Sequence, residues 1–186
     1  MSFIGLFIAA DLGWLGKMPS VEDLQNPKSD LASVVYSSDG KVLGKYFFQN
    51  RTNADFQDLA PELVQAIVST EDERFYDHPG IDFLGTIRAV IFLGTRGGGS
   101  TITQQLAKMV FTETRSSNFL VAVKQKIQEY VISAKLERYY TKQEIITMYY
   151  NRFDFINNAV GINSAASVYF NVIPDSLKIH QSAMLA

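Results

Sequence analysis

From Pro61 onward the apolar residues of this chain recur at three- and four-residue intervals, and the pattern predicts helices almost to its last residue. Leu63, Val64, Ile67 and Val68 make one stripe of a helix entered after Pro61, a residue suited to a first helical position. A short apolar helix is expected over Phe83–Phe92. Another begins near Ser100 or Thr101, where Thr101-Ile102-Thr103-Gln104 has capping-box spacing. A long helix is expected from about Asn118 to Tyr139, and Thr141-Lys142-Gln143-Glu144 is a second capping box that opens a helix to about Tyr150. Residues 151–160 read as a loop, and two further helices are expected over 161–169 and 176–186.

Upstream the period changes. Ser33–Tyr36 and Val42–Phe48 are β-rich runs joined around Asp39-Gly40, a hairpin signal. Residues 17–30 hold two prolines and many polar side chains, as a linker does. The start is apolar for only about eight residues, less than half of the roughly 20 that span a bilayer, and lacks a signal peptide's basic region and cleavage site. The organisation expected is a membrane-anchor remnant over 1–16, a linker over 17–32, and a mainly α domain with a small N-terminal β hairpin over 33–186. Ser-Ala-Met-Leu-Ala closes the chain inside a helical pattern. Both ends read as cut, so these residues alone are expected to be weakly active or inactive.

Composition narrows the chemistry. With 186 residues, 47% hydrophobic and 19% charged, the chain can bury one real core. It has no cysteine, and its two histidines, His78 and His180, are far apart, which argues against disulfides, thiolate chemistry and a histidine-rich metal site. The net charge of −2 is uneven: residues 96–152 hold nine Lys/Arg against four Glu, a local +5 that leaves −7 elsewhere. A basic middle on an acidic protein suits a local anionic ligand and not bulk nucleic-acid binding, although solvated helix faces carry lysines too.

Three features are candidates for chemistry. Glu71 falls on the stripe of Ile67 and Val68, where a carboxylate is either a helix-end group turned to solvent or a working acid or base whose basicity burial would raise. Thr101, Gln104, Gln105 and Lys108 share a polar face opposite Ile102, Leu106, Met109 and Val110. That face is a solvated surface or one wall of a groove for an extended polar ligand, entered past the irregular Gly94–Gly99 stretch. Glu129 borders an apolar stripe with Lys126 beside it, as an ordinary ion pair or as a second carboxylate facing Glu71 across a cleft. Lys108, Arg115, Lys124 and Lys126 lie between the two carboxylates in sequence and could receive a negatively charged leaving group.

Together these segments resemble the family 51 glycosyltransferases, the peptidoglycan-polymerising domains of class A penicillin-binding proteins and monofunctional transglycosylases. Glu71-Asp72-x-x-Phe75-x-x-His78-x-Gly80 is similar to the family's first motif, and Gly98-Gly99-Ser100-Thr101-Ile102-Thr103-Gln104-Gln105-Leu106-Ala107-Lys108 to its second. Gln125-Lys126-Ile127-Gln128-Glu129 resembles the third, Arg-Lys-x-x-Glu, with glutamine for arginine; Lys142-x-x-Ile145-x-x-x-Tyr149-x-Asn151 resembles the fourth. The resemblance covers about residues 33–186. Met109 stands where asparagine is common, and Asp154-Phe155 where Tyr-Phe is usual. Nothing in these residues resembles a transpeptidase domain.

The resemblance implies a lysozyme-like, two-lobed helical fold with a groove facing the bacterial cytoplasmic membrane, on its outer side. It implies lipid II as substrate, a lipid-linked growing glycan as donor, other cell-wall synthesis proteins as partners, and no nucleic acid. Glu71 would be the general base on the acceptor sugar's 4-hydroxyl. Glu129 would assist at the donor's pyrophosphate, directly or through Mg²⁺ or another divalent cation, with no organic cofactor. Lys108, Arg115 and Lys126, with neighbouring Lys124, would neutralise the pyrophosphate, and Ser100, Thr101 and Gln104 would line the groove. Asp72, Phe75, His78, Gly80 and Asn151 would support the site. Two rivals stay open: a muramidase that cleaves the same glycan, and a non-catalytic envelope scaffold.

Overall fold

In the computed structural model of the protein, the described residues are Gly5, Trp14, 33–39, 41–46, 53–91, 99–111 and 117–186. The rest of the expected anchor and linker, most of the glycine-rich stretch, and Arg115 lie outside them. Ser33–Tyr36 (β1) pairs antiparallel with Val42–Tyr46 (β2), Ser33 opposite Tyr46 and Val35 opposite Gly44, with an irregularity between Val35 and Tyr36. Gly40, in the expected turn, is outside the described residues.

Beyond this pair of strands the described chain is mainly helical: α1 Pro61–Glu71, α2 Phe83–Ile91, α3 Ile102–Phe111, α4 Phe119–Tyr139, α5 Lys142–Arg152, α6 Ile162–Phe170 and α7 Ile179–Met184, with short 3-10 turns at Phe56–Asp58 and Pro174–Ser176. No described helix is long and apolar enough to cross a membrane.

Local chemistry sets the ends of these helices. Pro61 opens α1 where a missing N–H costs nothing. The Asn118 side chain accepts from Leu120 and Val121 N–H to open α4. Thr141 and Glu144 form the reciprocal capping box of α5: Glu144 Oε2 accepts the Thr141 N–H at 2.7 Å while the Thr141 hydroxyl accepts the Glu144 N–H at 3.3 Å. Asn171 ends α6 in the left-handed region, with φ of 55°.

The core joins α1, α3, α5 and α6 with the end of α4. Leu63, Ile67, Ile102, Leu106, Ile132, Leu136, Ile145, Ile146 and Ile162 are all buried in it. Each such side chain contributes about 1.5–3 kcal/mol on leaving water. Tyr150, also fully buried, donates its hydroxyl to the Leu63 carbonyl at 2.9 Å, so α5 is tied to α1 by a bond as well as by packing. Asn151 exchanges two bonds with the Ala54 backbone, at 2.8 and 2.9 Å, and clamps the segment before α1 onto the end of α5. Helix α3 packs against both α4 and α5, so its polar side faces a wall of other helices.

Candidate active site

The site is built around the turn after α1. Asp72 is buried, and its two carboxylate oxygens lie 2.9 and 3.1 Å from His78 Nε2. The second of these oxygens also accepts the Ile102 N–H at 3.0 Å. One carboxylate thus closes the turn and satisfies a free N–H at the start of α3. Gly80 ends the turn with φ of +85°, and its carbonyl accepts the Thr101 hydroxyl at 2.7 Å. A β-carbon there would stand 2.8 Å from the Ser133 carbonyl oxygen and 2.9 Å from Glu137 Cγ, so both conformation and space demand glycine.

Below the turn, Lys142 Nζ donates to the His78 carbonyl at 2.7 Å and to Glu137 Oε1 at 2.8 Å, and sits 4.3 Å from the centre of the buried Phe75 ring. Thr103 donates to the same Glu137 oxygen at 2.6 Å. Beside the turn, Arg74 pairs with Asp82, which also accepts the Gly85 N–H and so fixes the start of α2. Burial opposes the charge on Asp82, but the Gly85 N–H and the Arg74 guanidinium outweigh it and hold the carboxyl below the usual aspartate value of 3.8.

Glu71 departs from the burial expected of its stripe: it is exposed. Ile67 is the last residue of the stripe to reach the core, Val68 is only half-buried, and the final turn of α1 projects beyond it. The carboxylate that the fold buries is its neighbour Asp72. A hydrogen bond anchors Glu71 instead, for Gln105 Nε2 donates to Glu71 Oε2 at 2.6 Å. Gln105 Oε1 in turn accepts the Tyr149 hydroxyl at 3.3 Å. Burial, with the Glu71 charge adding to it, pushes the Tyr149 phenol well up, so it stays a donor.

The polar face of α3 is not solvated either. Thr101 and Gln104 are buried, Gln105 is half-buried, and of the four only Lys108 is exposed. The capping box expected at Thr101 is half made: its hydroxyl accepts the Gln104 N–H at 3.1 Å, but the Gln104 side chain is turned away toward Lys126. Lys126 Nζ is the hub of this side. It donates to Ser100 Oγ at 2.9 Å, Gln104 Oε1 at 3.3 Å and Glu129 Oε2 at 2.9 Å. Glu129 is 8% exposed, whereas the Lys126 side chain keeps 37% of its surface, so the carboxylate is withdrawn from water and the ammonium is partly wet.

Ser100, Gln104, Gln105, Lys108, Lys126 and Glu129 line an open groove of about 500 Å³, completed by Gln125 and by Phe119, Ala122 and Val123 of α4. A smaller cavity of about 40 Å³ beside it is lined by Glu71 and Asp72 and shares Ser100. The groove with Glu129 and the cavity with Glu71 share Ser100, and Gln105, which lines the groove, also bonds Glu71. Of the expected cations, Lys108 and Lys126 line the groove. Lys124 is exposed and is not among the lining residues.

The donor set does not fit a protein-held metal ion. Among the described residues no three His, Asp or Glu side chains converge, and one oxygen of Glu129 is already engaged by Lys126. The residues that a motif reading passed over are Glu137, Ser133 and Arg74. Glu137 reaches the site through Lys142 and Thr103, Ser133 donates to the Glu129 carbonyl at 2.6 Å, and Arg74 lines the small cavity with Glu71; each reads in sequence as an ordinary helix or turn residue.

The site thus brings Glu71, Glu129, Lys108 and Lys126 to the two cavities beside α3, set in a mainly helical frame. The chain belongs to the transglycosylase family, whose model matches residues 39–186. It is 37% identical over 187 residues to penicillin-binding protein 1A of Neisseria flavescens, an alignment covering 98% of this chain and 23% of that protein. To penicillin-binding protein 1A of Escherichia coli (strain K12) it is 33% identical over 174 residues, 91% of this chain and 20% of that protein. The chain thus spans between a fifth and a quarter of the length of these curated relatives.

Proposed function

We propose that this chain is a peptidoglycan glycosyltransferase domain that joins lipid II to a lipid-linked glycan strand. The observation that carries the reading is the groove itself: it is lined by Glu129, Lys108 and Lys126, and it shares Ser100 with a smaller cavity lined by Glu71.

The acceptor's 4-hydroxyl oxygen attacks the donor's anomeric carbon from the face opposite the pyrophosphate. The new C–O bond forms as the bond to the pyrophosphate oxygen breaks, and the configuration inverts. Glu71 takes the hydroxyl proton; its exposure gives a substrate access to it. The electron pair leaves with the lipid pyrophosphate, whose charge Lys108 and Lys126 oppose, with Arg115 contributing by the family's pattern. Glu129 holds Lys126 in the groove and stands at the pyrophosphate side. If a divalent cation accompanies the pyrophosphate, Glu129 is the carboxylate that would face it, and the ion would add positive charge against the leaving group.

We further propose a lysozyme-like arrangement of two lobes with the groove toward the outer face of the bacterial cytoplasmic membrane, in company with other cell-wall synthesis proteins. The exposed Phe83, Leu84, Ile87 and Ile91 of α2, and Phe119 and Leu120 of α4, support membrane proximity, because so many exposed apolar side chains suit a lipid boundary. A muramidase would have no use for the lysines of the groove, since its leaving group carries no pyrophosphate.

Incubating the protein encoded by the whole open reading frame with lipid II separates the readings. Long glycan strands are expected, with polymerisation abolished in Glu71→Gln. Shortening of added strands would instead establish the hydrolase, and no polymer from the unmodified protein would establish the scaffold.

A further inference from the structure

We propose that Gln105 is a positioning residue that aims the Glu71 carboxylate, and that Tyr149 sets which way the Gln105 amide faces; this rests on Glu71 being the base. Glu71 is the last residue of α1, where the helix dipole opposes a negative charge, and its side chain is exposed. Its own helix therefore gives no reason for the carboxylate to keep one place. The fixed contact comes from α3, through the 2.6 Å bond from Gln105 Nε2 to Glu71 Oε2. A hydrogen bond to an ionised acceptor is the stronger kind.

A glutamine amide has a donor end and an acceptor end, and reversing it would set Oε1 against the carboxylate. Tyr149 opposes that reversal. Its ring is 3% exposed and stacks on Phe153 at 5.3 Å, so the hydroxyl has a fixed origin from which to donate to Gln105 Oε1 at 3.3 Å. Three helices, α5, α3 and α1, thus supply a directed chain from Tyr149 through Gln105 to Glu71. Gln105 engages Oε2 of Glu71, and Oε1 is the oxygen this arrangement assigns to the acceptor hydroxyl.

The test measures kcat and KM for lipid II separately in the full-length protein for Gln105→Leu, Tyr149→Phe, the double variant and Glu71→Gln. Misplacing a reacting group by about 1 Å costs on the order of 100-fold, so Gln105→Leu is expected to lose about that much in kcat with KM within about threefold. Tyr149→Phe keeps the ring and is expected to lose about tenfold, and the double variant no more than Gln105→Leu alone, because the phenol acts through the amide.

A loss confined to KM, or losses that multiply in the double variant, would overturn the proposal. Wild-type kcat in Gln105→Leu beside an inactive Glu71→Gln would sink the relay alone; an active Glu71→Gln would remove the base assignment and the relay with it. Should Gln105→Leu unfold on heating at assay temperature, Gln105→Asn, which withdraws the amide by one methylene, carries the same expectation.

Discussion

Lys126 Nζ stands 2.9 Å from Glu129 Oε2 on the same helix, one turn away, and spends its other two donors on Ser100 and Gln104 across the groove. An exposed pair at this spacing stabilises a helix by only a few tenths of a kcal/mol. Here Glu129 is nearly buried, so the lysine is the group that makes its charge tolerable. Removing it is expected to cost more than the pair itself contributes. Lys126→Met should lower unfolding stability by about 1 kcal/mol, because the lysine is partly exposed, and abolish polymerisation, whereas Glu129→Gln should be close to neutral in thermal unfolding and still impair turnover. Equal stabilities for Lys126→Met and wild type would show that water reaches the carboxylate.

Gln125 lines the groove where the family motif has arginine. An added guanidinium there would meet a pyrophosphate with two parallel bonds. Gln125→Arg is expected to lower KM for lipid II by roughly tenfold, corresponding to about 1.4 kcal/mol, and to make KM more sensitive to salt. Unchanged KM at low and high ionic strength would place the pyrophosphate elsewhere.

Gly80→Ala tests the turn that carries Glu71. The left-handed backbone costs an L residue about 1–2 kcal/mol, and the added methyl would press on the Ser133 carbonyl and the Glu137 side chain. A loss of about 2–3 kcal/mol in denaturant unfolding is expected, with kcat falling as Asp72 and Glu71 are displaced. A variant as stable and active as wild type would mean that the turn adapts freely.

Acid should loosen the start of α2 through Asp82. Its carboxyl is held below 3.8 by the Gly85 N–H and the Arg74 guanidinium, so the folded state binds its proton less readily than the unfolded chain does. The stabilisation is therefore complete above the unfolded value and is lost as pH falls through the lower, folded value. The gap in melting temperature between wild type and Asp82→Asn is expected to be full near neutral pH and to close as pH falls below the unfolded aspartate value of 3.8. A gap that persists at low pH would assign the effect of the substitution to shape, not charge.

The sequence by itself determined the helical frame, because apolar spacing, Pro61, Asn118 and the Thr141–Glu144 box are local signals that the backbone obeys wherever a core is available. Motif order also marked the stretches that meet around the groove. Only the tertiary structure decided which carboxylate is buried. Periodicity put Glu71 on the inner stripe, but α1 runs past the core, so Asp72 takes the interior and Glu71 stays exposed. Nor could spacing show that Gln104 leaves its own helix cap for Lys126, or that Gln105 is held between Tyr149 and Glu71. Each of those bonds joins residues 22 to 44 positions apart, and helical periodicity describes only neighbours on one face of one helix. What a side chain meets across a groove depends on how separate helices pack.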